Sequence, residues 1–283
     1  MLQKPINLFT YLNKISGVRK LKIDGHIHTP FCPHGSADSF ELYIEKAIAN
    51  NFDSISFTEH APLPISFVDP TPDKDSGMNE KHLSLYIQQL NELKMKYKSQ
   101  IDIKIGLEVD YIVGFEKQTK DFLNEIGPML DDSILSVHFL KLNNSYTCID
   151  YSKEVYLQFA KNIGSIQAMY DLYYDTVLQS IHADLGPFKP KRIGHPTLIH
   201  KFQLAHNEKM DDTARIQQLL LEIQRCGLQL DFNSAGLSKE YCRESYPHTQ
   251  FLSYIKQIGL PFIFGSDAHT ASDLHQHYAI VCK

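Results

Sequence analysis

Runs rich in β-branched and aromatic residues recur along the 283-residue chain and alternate with helical segments. We interpret seven of these runs as strands, at residues 21–24, 54–58, 101–109, 133–137, 192–194, 228–232 and 261–265. Helical patterns occupy the chain between them, most clearly at 40–50, 79–97, 153–182 and 213–227. Strand alternating with helix predicts a parallel sheet, and about seven repeats in one direction predict a closed or nearly closed α/β barrel.

No linker or low-complexity segment divides the chain, so we predict a single domain over residues 1–283 with its core at about 20–275. One stretch, residues 61–80, departs from the alternation and is rich in Pro and Asp. A loop of this length in a compact domain is typical of a lid or a substrate loop, although a solvated excursion without a role is the alternative.

Composition excludes several classes of function. The net charge is −5, and the basic residues are scattered, so no electrostatic footprint for nucleic acid is present. No apolar run has the length of a membrane span, and the N-terminus lacks the layout of a signal peptide, so we predict a cytoplasmic protein without a membrane partner. The five cysteines contain no C-x-x-C pair and are predicted to be reduced thiols, with a chemical role left open for Cys32. The sequence does not indicate the oligomeric state.

Polar residues follow each predicted strand at the point where it ends, in the order D-G-H-I-H, T-E-H, E-V-D, S-V-H, G-H-P, D-F-N and G-S-D-A-H. The carboxyl ends of the strands of a parallel barrel lie on one face, which is where barrel enzymes have their active sites. We therefore expect the following residues to converge there: His26, His28, His34, His60, Glu108, His138, His195, Asp267 and His269.

Such a cluster predicts metal ions, because neighbouring imidazoles would repel one another when protonated unless a cation replaced the protons. Histidine and carboxylate ligands suit Zn²⁺, Fe²⁺ or Mn²⁺, and the lack of cysteine pairs favours a catalytic over a structural site. In H-x-H the side chains two apart on a strand point to the same side, so His26 and His28 can reach one ion. Nine candidate ligands suffice for two or three ions.

Other polar residues near these positions have two interpretations. Asp24, Glu59 and Asp110 neighbour the candidate ligands and either orient imidazoles or serve only the local structure. Seven further histidines lie in helical or terminal segments, and we interpret each as a surface or capping residue: His82, His182, His200, His206, His248, His275 and His277.

These motifs together resemble the polymerase and histidinol phosphatase (PHP) superfamily of metal-dependent phosphoesterases. The matching stretches are D-G-H-I-H-T-P-F-C-P-H-G, F-T-E-H-A-P-L-P, G-L-E-V-D-Y, S-V-H-F-L, R-I-G-H-P, D-F-N-S-A-G-L and F-G-S-D-A-H, which span residues 24–269. Within the superfamily the chain resembles the histidinol-phosphate phosphatases of bacterial histidine biosynthesis. The resemblance implies a distorted, TIM-like (β/α)7 barrel with a cluster of up to three divalent ions.

Carried over by position, the resemblance assigns three ligand sets. The first ion would be held by His26, His28, Glu108 and Asp267, and the second by Glu108, His138 and His195. The third would be held by His34, His60 and His269. Glu108, Asp267 and His195 would then act in catalysis through the metals.

The implied reaction is hydrolysis of a phosphate monoester, with L-histidinol phosphate giving L-histidinol and phosphate. A hydroxide bridging two ions would attack phosphorus, because metals lower the pKa of bound water toward neutrality. The same ligands are compatible with another small phosphate ester, such as a nucleotide, a sugar phosphate or phosphotyrosine. An amidohydrolase and a non-catalytic metal-binding protein are the more distant alternatives.

Substrate contacts are predicted less directly. Arg192, Arg243 and Lys141 are candidates for binding phosphate, although an exposed charge or a structural ion pair is the favoured interpretation of each. Asn233 ends a strand inside a matching motif and is a further candidate, without an assigned role. A cationic group of the substrate would meet Asp69 or Asp110.

Overall fold

The computed structural model describes residues 21–282, and its sheet has the predicted barrel topology. The strands are β1 (Ile23–Ile27), β2 (Ser54–His60), β3 (Asp102–Asp110), β4 (Asp132–Ser136), β5 (Phe139–Leu142), β6 (Ser145–Cys148), β7 (Arg192–Ile193), β8 (Gln229–Asn233) and β9 (Phe262–Gly265). Seven of them form one sheet in the order β1-β2-β3-β4-β7-β8-β9, and every neighbouring pair is parallel.

The two ends of this sheet meet, so the barrel is nearly closed. The amide of Asp267 donates to the His26 carbonyl at 2.8 Å, and the amide of His28 donates to the Ala268 carbonyl at 3.0 Å. The predicted α/β barrel of seven parallel strands is thereby confirmed. The part of the single-domain prediction that covers residues 1–20 and 283 lies outside the described residues.

Helices cover the outside of the barrel. They are α1 (Phe40–Ala49), α2 (Glu80–Tyr97), α3 (Glu116–Ile126), α4 (Lys153–Ile163), α5 (Ile166–His182), α6 (Thr213–Arg225), α7 (Leu252–Ile258) and α8 (Tyr278–Val281). Within residues 21–282, none of them combines the length and the apolar character of a membrane span. The predicted helix at 153–182 is two helices, because Gly164 adopts a φ of 111° and ends α4.

An antiparallel hairpin formed by β5 and β6 interrupts the alternation directly after β4, and the sequence interpretation did not include it. Phe139 of this hairpin packs with Phe67 and Ile112 in a small apolar cluster separate from the main core. Phe67 belongs to the long 61–80 loop, so the cluster fixes that loop against the barrel. Asp69 also orders the loop, because it accepts hydrogen bonds from the amides of Thr71 and Ser76.

Near the amino ends of the strands a buried arginine crosses the barrel interior. The Arg192 guanidinium donates to the Gly25 carbonyl at 2.8 Å and to Asp132 Oδ2 at 2.6 Å. A Cβ at position 25 would lie 2.0 Å from Arg192 Nη1, so this close approach requires glycine. Arg192 therefore stabilises the barrel interior beside the strand residue that precedes His26.

Candidate metal centre

The carboxyl ends of the strands bring the nine predicted ligands together. His26, His60 and Glu108 lie within β1, β2 and β3, while the others follow strands or lie in the first loop: His28, His34, His138, His195, Asp267 and His269. The ring centroid of His28 lies 4.3 Å from that of His60 and 4.0 Å from that of His269. The convergence predicted from the strand ends is therefore present in the structure.

Glu108 lies at the middle of the cluster and faces ring nitrogens with both carboxylate oxygens. Its Oε2 is 3.1, 3.4 and 3.5 Å from ring nitrogens of three histidines, namely His60, His26 and His28. Its Oε1 is 2.8 Å from His195 Nε2 and 3.8 Å from His138 Nε2. One carboxylate therefore connects two groups of imidazoles.

Carboxylates behind the cluster orient its imidazoles through their Nδ1 atoms. Nδ1 of His26 and Asp231 are 2.8 Å apart, and Nδ1 of His28 is 3.1 Å from Glu59. Nδ1 of His138 is 2.8 Å from Asp110 in the same way. Such contacts fix the tautomer so that Nε2 faces inward as a metal ligand.

Two of these carboxylates, Glu59 and Asp110, were candidates from the sequence, whereas Asp231 was not. Asp231 is a charged residue on strand β8, two positions before Asn233 and therefore on the same face of the sheet. That position was the signal that could have identified Asp231 from the sequence. Asp24, the third candidate, instead binds His275 Nδ1 at 2.9 Å and the amide of Ser266 at 3.0 Å.

Buried ring nitrogens without hydrogen-bond partners indicate that the cluster fits metal ions. They are Nε2 of His26 and His28, Nδ1 of His195, and both ring nitrogens of His60. Burying such groups without partners costs free energy, which a bound cation offsets. The cluster contains three groups of residues in each of which the donor atoms all lie within 4.8 Å of one another: His26, His28 and Glu108; Glu108, His138 and His195; and His28, Cys32, His60 and His269.

The electrostatics of the cluster favour a cation. Burial lowers the pKa of His26, yet the carboxylates of Asp231 and Glu108 raise it to about 10. Burial and the neighbouring His28 hold the pKa of His60 well below its usual range, and the same causes act on His269. Neutral imidazole is the form that binds metals, so His60 and His269 are ready to act as ligands.

A cavity of about 400 Å³ opens onto the cluster. Lys201 lies in its wall, and its Nζ is 2.8 Å from Asp150 Oδ2. Burial lowers the pKa of Lys201, but Asp150 more than compensates, so the net shift is upward and the ammonium stays charged. The lining residues that do not belong to the cluster also include Thr71, Asp75, Ser76, Tyr151, Lys239, Tyr246 and Asp273.

The structure corrects the expected substrate contacts. Arg192 is buried against Asp132 and does not line the cavity, so it is removed from the candidates. Lys141 lies over the Tyr146 ring on the hairpin, and Arg243 is exposed and donates to the Glu240 carbonyl. Neither lines the cavity.

Asn233 does lie at the cluster. Its side-chain amide donates to Asp231 Oδ2 at 3.3 Å and to Asp267 Oδ2 at 3.1 Å. It is fully buried, so it is placed to orient the Asp267 carboxylate rather than to meet a substrate. Of the two acidic candidates, Asp110 lines the cavity, whereas Asp69 binds its own loop. Sequence interpretation missed Lys201 and Asp150 because neither belongs to a strand end.

Two of the seven histidines interpreted as surface or capping residues are buried. His200 lies between two carboxylates, with Nδ1 2.5 Å from Glu244 and Nε2 2.7 Å from Asp212. His275 stacks on Phe52 with ring centroids 3.4 Å apart. Both are core residues of the described chain.

The structure is a parallel barrel whose carboxyl face carries histidine and carboxylate donors for divalent ions. These features are typical of one class of protein, the metal-dependent barrel enzymes. A family model described as "PHP domain" matches residues 24–235. The chain belongs to the PHP domain family.

Individual relatives agree with this family. The histidinol-phosphatase of Bacillus subtilis is 48% identical over 259 residues, which cover 91% of this chain and 97% of that protein. A crystal structure from Listeria monocytogenes, of a protein named for histidinol phosphatase, superposes with a TM-score of 0.86 at 39% identity and covers 92% of this chain and all of that one. A Lactococcus lactis histidinol phosphate phosphatase, solved with zinc, L-histidinol and phosphate, shares the fold at 23% identity, with a TM-score of 0.68 and 92% of each chain covered.

Proposed function

We propose that the protein is a cytoplasmic histidinol-phosphatase that hydrolyses L-histidinol phosphate to L-histidinol and phosphate in histidine biosynthesis. The observation that carries the proposal is the convergence of the metal-binding side chains beside a cavity whose wall holds a partly buried ammonium group. Relatedness at 48% identity, over nearly the whole of both chains, supports the choice of substrate.

Two or three divalent ions, drawn from Zn²⁺, Mn²⁺ and Fe²⁺, are proposed for the cluster. One would be held by His26, His28, Glu108 and Asp267, and a second by Glu108, His138 and His195. The third would be held by His34, His60 and His269, whose rings lie 5.0–5.9 Å apart. When bound, the ions supply positive charge for the phosphoryl oxygens and activate water.

The residues of the cavity wall fit the two ends of the substrate. Lys201 carries a charged ammonium beside the cluster and is assigned to a phosphoryl oxygen. Asp75, Asp150 and Asp273 give the same cavity acidic groups, which suit the ammonium of histidinol. A phosphate ester with a cationic alcohol therefore matches the charges of the site better than an anionic sugar or nucleotide does.

The 61–80 loop has a role in this proposal. Thr71, Asp75 and Ser76 line the cavity, and the backbone carbonyl of Asp75 is 3.0 Å from His34 Nδ1. The loop therefore borders both the substrate space and the metal centre, and it limits access of water to the reacting phosphate. This supports the substrate-loop interpretation over a solvated excursion.

Phosphate release tests the proposal. Protein stripped with a chelator is refilled separately with Zn²⁺, Mn²⁺ or Fe²⁺ and assayed on L-histidinol phosphate, nucleotides, sugar phosphates, phosphotyrosine and p-nitrophenyl phosphate. We expect no turnover without metal and a kcat/KM for L-histidinol phosphate about a hundredfold above the others, a difference of about 2.7 kcal/mol. Equal rates across the panel would refute the substrate while retaining the metal-dependent chemistry.

A further inference from the structure

We propose that the thiolate of Cys32 is an additional ligand of the metal centre, at the position shared by His28, His60 and His269. The inference rests on the proposed metal centre and does not depend on the identity of the substrate. It adds a sulfur donor to a site whose other donors are nitrogen and oxygen.

The donor-atom geometry carries the proposal. Sγ of Cys32 and one ring nitrogen from each of the three histidines all lie within 4.8 Å of one another. Cys32 is 6% exposed, so its thiol belongs to the floor of the site rather than to the surface. His34, in contrast, is exposed and has its Nδ1 3.0 Å from the Asp75 carbonyl, which leaves only Nε2 for an ion.

Unpaired nitrogens in the same group independently indicate a ligand. His28 is 0% exposed and His60 is 7% exposed. Nε2 of His28 and both ring nitrogens of His60 have no hydrogen-bond partner. Packing alone does not explain unpaired nitrogens on two histidines beside a thiol, because unpaired buried polar atoms are costly. A metal ion would bind one ring nitrogen from each histidine together with the sulfur.

The first loop holds the thiol in place. The amide of Cys32 donates to the Thr29 carbonyl at 2.9 Å, and Thr29 is in turn bound to Glu59, the carboxylate that orients His28. The amide of Gly35 donates to the Cys32 carbonyl, and a Cβ at position 35 would lie 2.9 Å from Cys32 Cβ. The loop that delivers Cys32 is therefore tied to the same carboxylate as the histidine beside it.

A sulfur ligand has a chemical consequence. Thiolates bind Zn²⁺ well and Mn²⁺ poorly, whereas imidazole and carboxylate sites accept both. The thiol proton would be released to solvent when the metal binds, and no redox partner is required. Cys32 would therefore bias this position toward Zn²⁺.

X-ray absorption at the zinc edge tests the proposal directly. The protein should carry Cys226→Ser, because exposed Cys226 forms a second sulfur-containing donor group with His182 and Glu222. In this background we expect a zinc–sulfur shell at about 2.3 Å that corresponds to one sulfur per protein. Adding Cys32→Ser should abolish that shell, whereas adding Cys148→Ala, at a buried cysteine that lines the cavity, should preserve it.

A cobalt-loaded sample gives a second, spectroscopic readout of the same ligand. The Cys226→Ser protein with Co²⁺ should show a thiolate-to-cobalt charge-transfer band in the near ultraviolet, and the band should be lost on adding Cys32→Ala. Full metal content without a zinc–sulfur shell or a charge-transfer band would overturn the Cys32 inference alone. Failure to retain metal at all would overturn the proposed metal centre with it, and neither result depends on the substrate panel.

Discussion

Asp231 lies 2.8 Å from His26 Nδ1, although 205 positions separate the two residues along the chain. The contact joins strands β1 and β8 at the metal centre and leaves His26 Nε2 facing inward. Because the carboxylate raises the basicity of the imidazole and fixes its tautomer, its charge contributes to metal affinity. We expect Asp231→Asn to weaken Zn²⁺ binding about 10- to 100-fold, measured by competition with a chromophoric chelator.

Asp132→Asn is the matched control, because Asp132 is another carboxylate of the barrel strands but pairs with Arg192. The Asp132→Asn change should lower the stability of the fold and leave the zinc competition curve unchanged. Equal zinc affinity in the wild type and Asp231→Asn would contradict a role for Asp231 in orienting His26.

Lys201 is predicted to bind the substrate phosphate, since its ammonium is a partly buried cation in the cavity wall. A hydrogen bond to a charged group contributes about 1.5–3 kcal/mol, so Lys201→Met should raise KM for L-histidinol phosphate about 10- to 100-fold. Steady-state kinetics on metal-saturated enzyme measure this effect. Lys201→Arg should recover part of the loss, because it restores the charge and the contact with Asp150.

Lys239 provides the comparison, because it lines the same cavity but is exposed. Lys239→Met should change KM less than threefold, as expected of a cation in contact with bulk water. A larger effect at Lys239 than at Lys201 would reverse the assignment of the phosphate-binding cation.

The metal centre could be predicted from the sequence because its ligands lie at strand ends. The residues of the cavity wall do not, so they could not be predicted. His26, Glu108 and Asp267 lie at or directly after strands, so their convergence follows from a parallel barrel alone. Lys201 lies in the 3-10 helix Leu198–Ala205, and Asp150 follows the unpredicted hairpin. Neither segment has a periodic pattern, and only tertiary packing brings the two side chains together.

Charge alone was misleading for Arg192. The motif R-I-G-H-P places it three residues before His195, which suggested a phosphate contact. Arg192 begins β7, whereas His195 follows the end of this strand, so the two side chains lie at different levels of the barrel. The Arg192 guanidinium binds the Gly25 carbonyl and the Asp132 carboxylate. The sequence does not reveal this structural role.

His200 should make stability depend on pH. Burial lowers its pKa, but Asp212 and Glu244 raise it to about 9, above the ordinary 6.5. A raised pKa means that this stabilisation is fully present below pH 6.5 and is lost as the pH rises through 9. This shift in the pKa of His200 corresponds to about 3 kcal/mol of unfolding free energy. We expect the stability advantage of the wild type over His200→Gln to fall by about that amount between pH 6 and pH 9.5.

Urea unfolding of both proteins at several pH values measures this advantage. The pKa values of Asp212 and Glu244 are held low by His200, so the advantage should also decline below the ordinary pKa range of carboxylates. A constant difference between pH 6 and pH 9.5 for His200→Gln would contradict the buried ion pairs.

Arg192→Met distinguishes a structural arginine from a substrate contact. The change leaves Asp132 without its cation and the Gly25 carbonyl without its donor, so we expect a loss of about 3 kcal/mol in unfolding free energy. KM for L-histidinol phosphate should stay within twofold on the folded enzyme, because the guanidinium does not reach the cavity. Adding Asp132→Asn should recover part of the stability, since it removes the uncompensated carboxylate. A rise in KM with unchanged stability would return Arg192 to the substrate site.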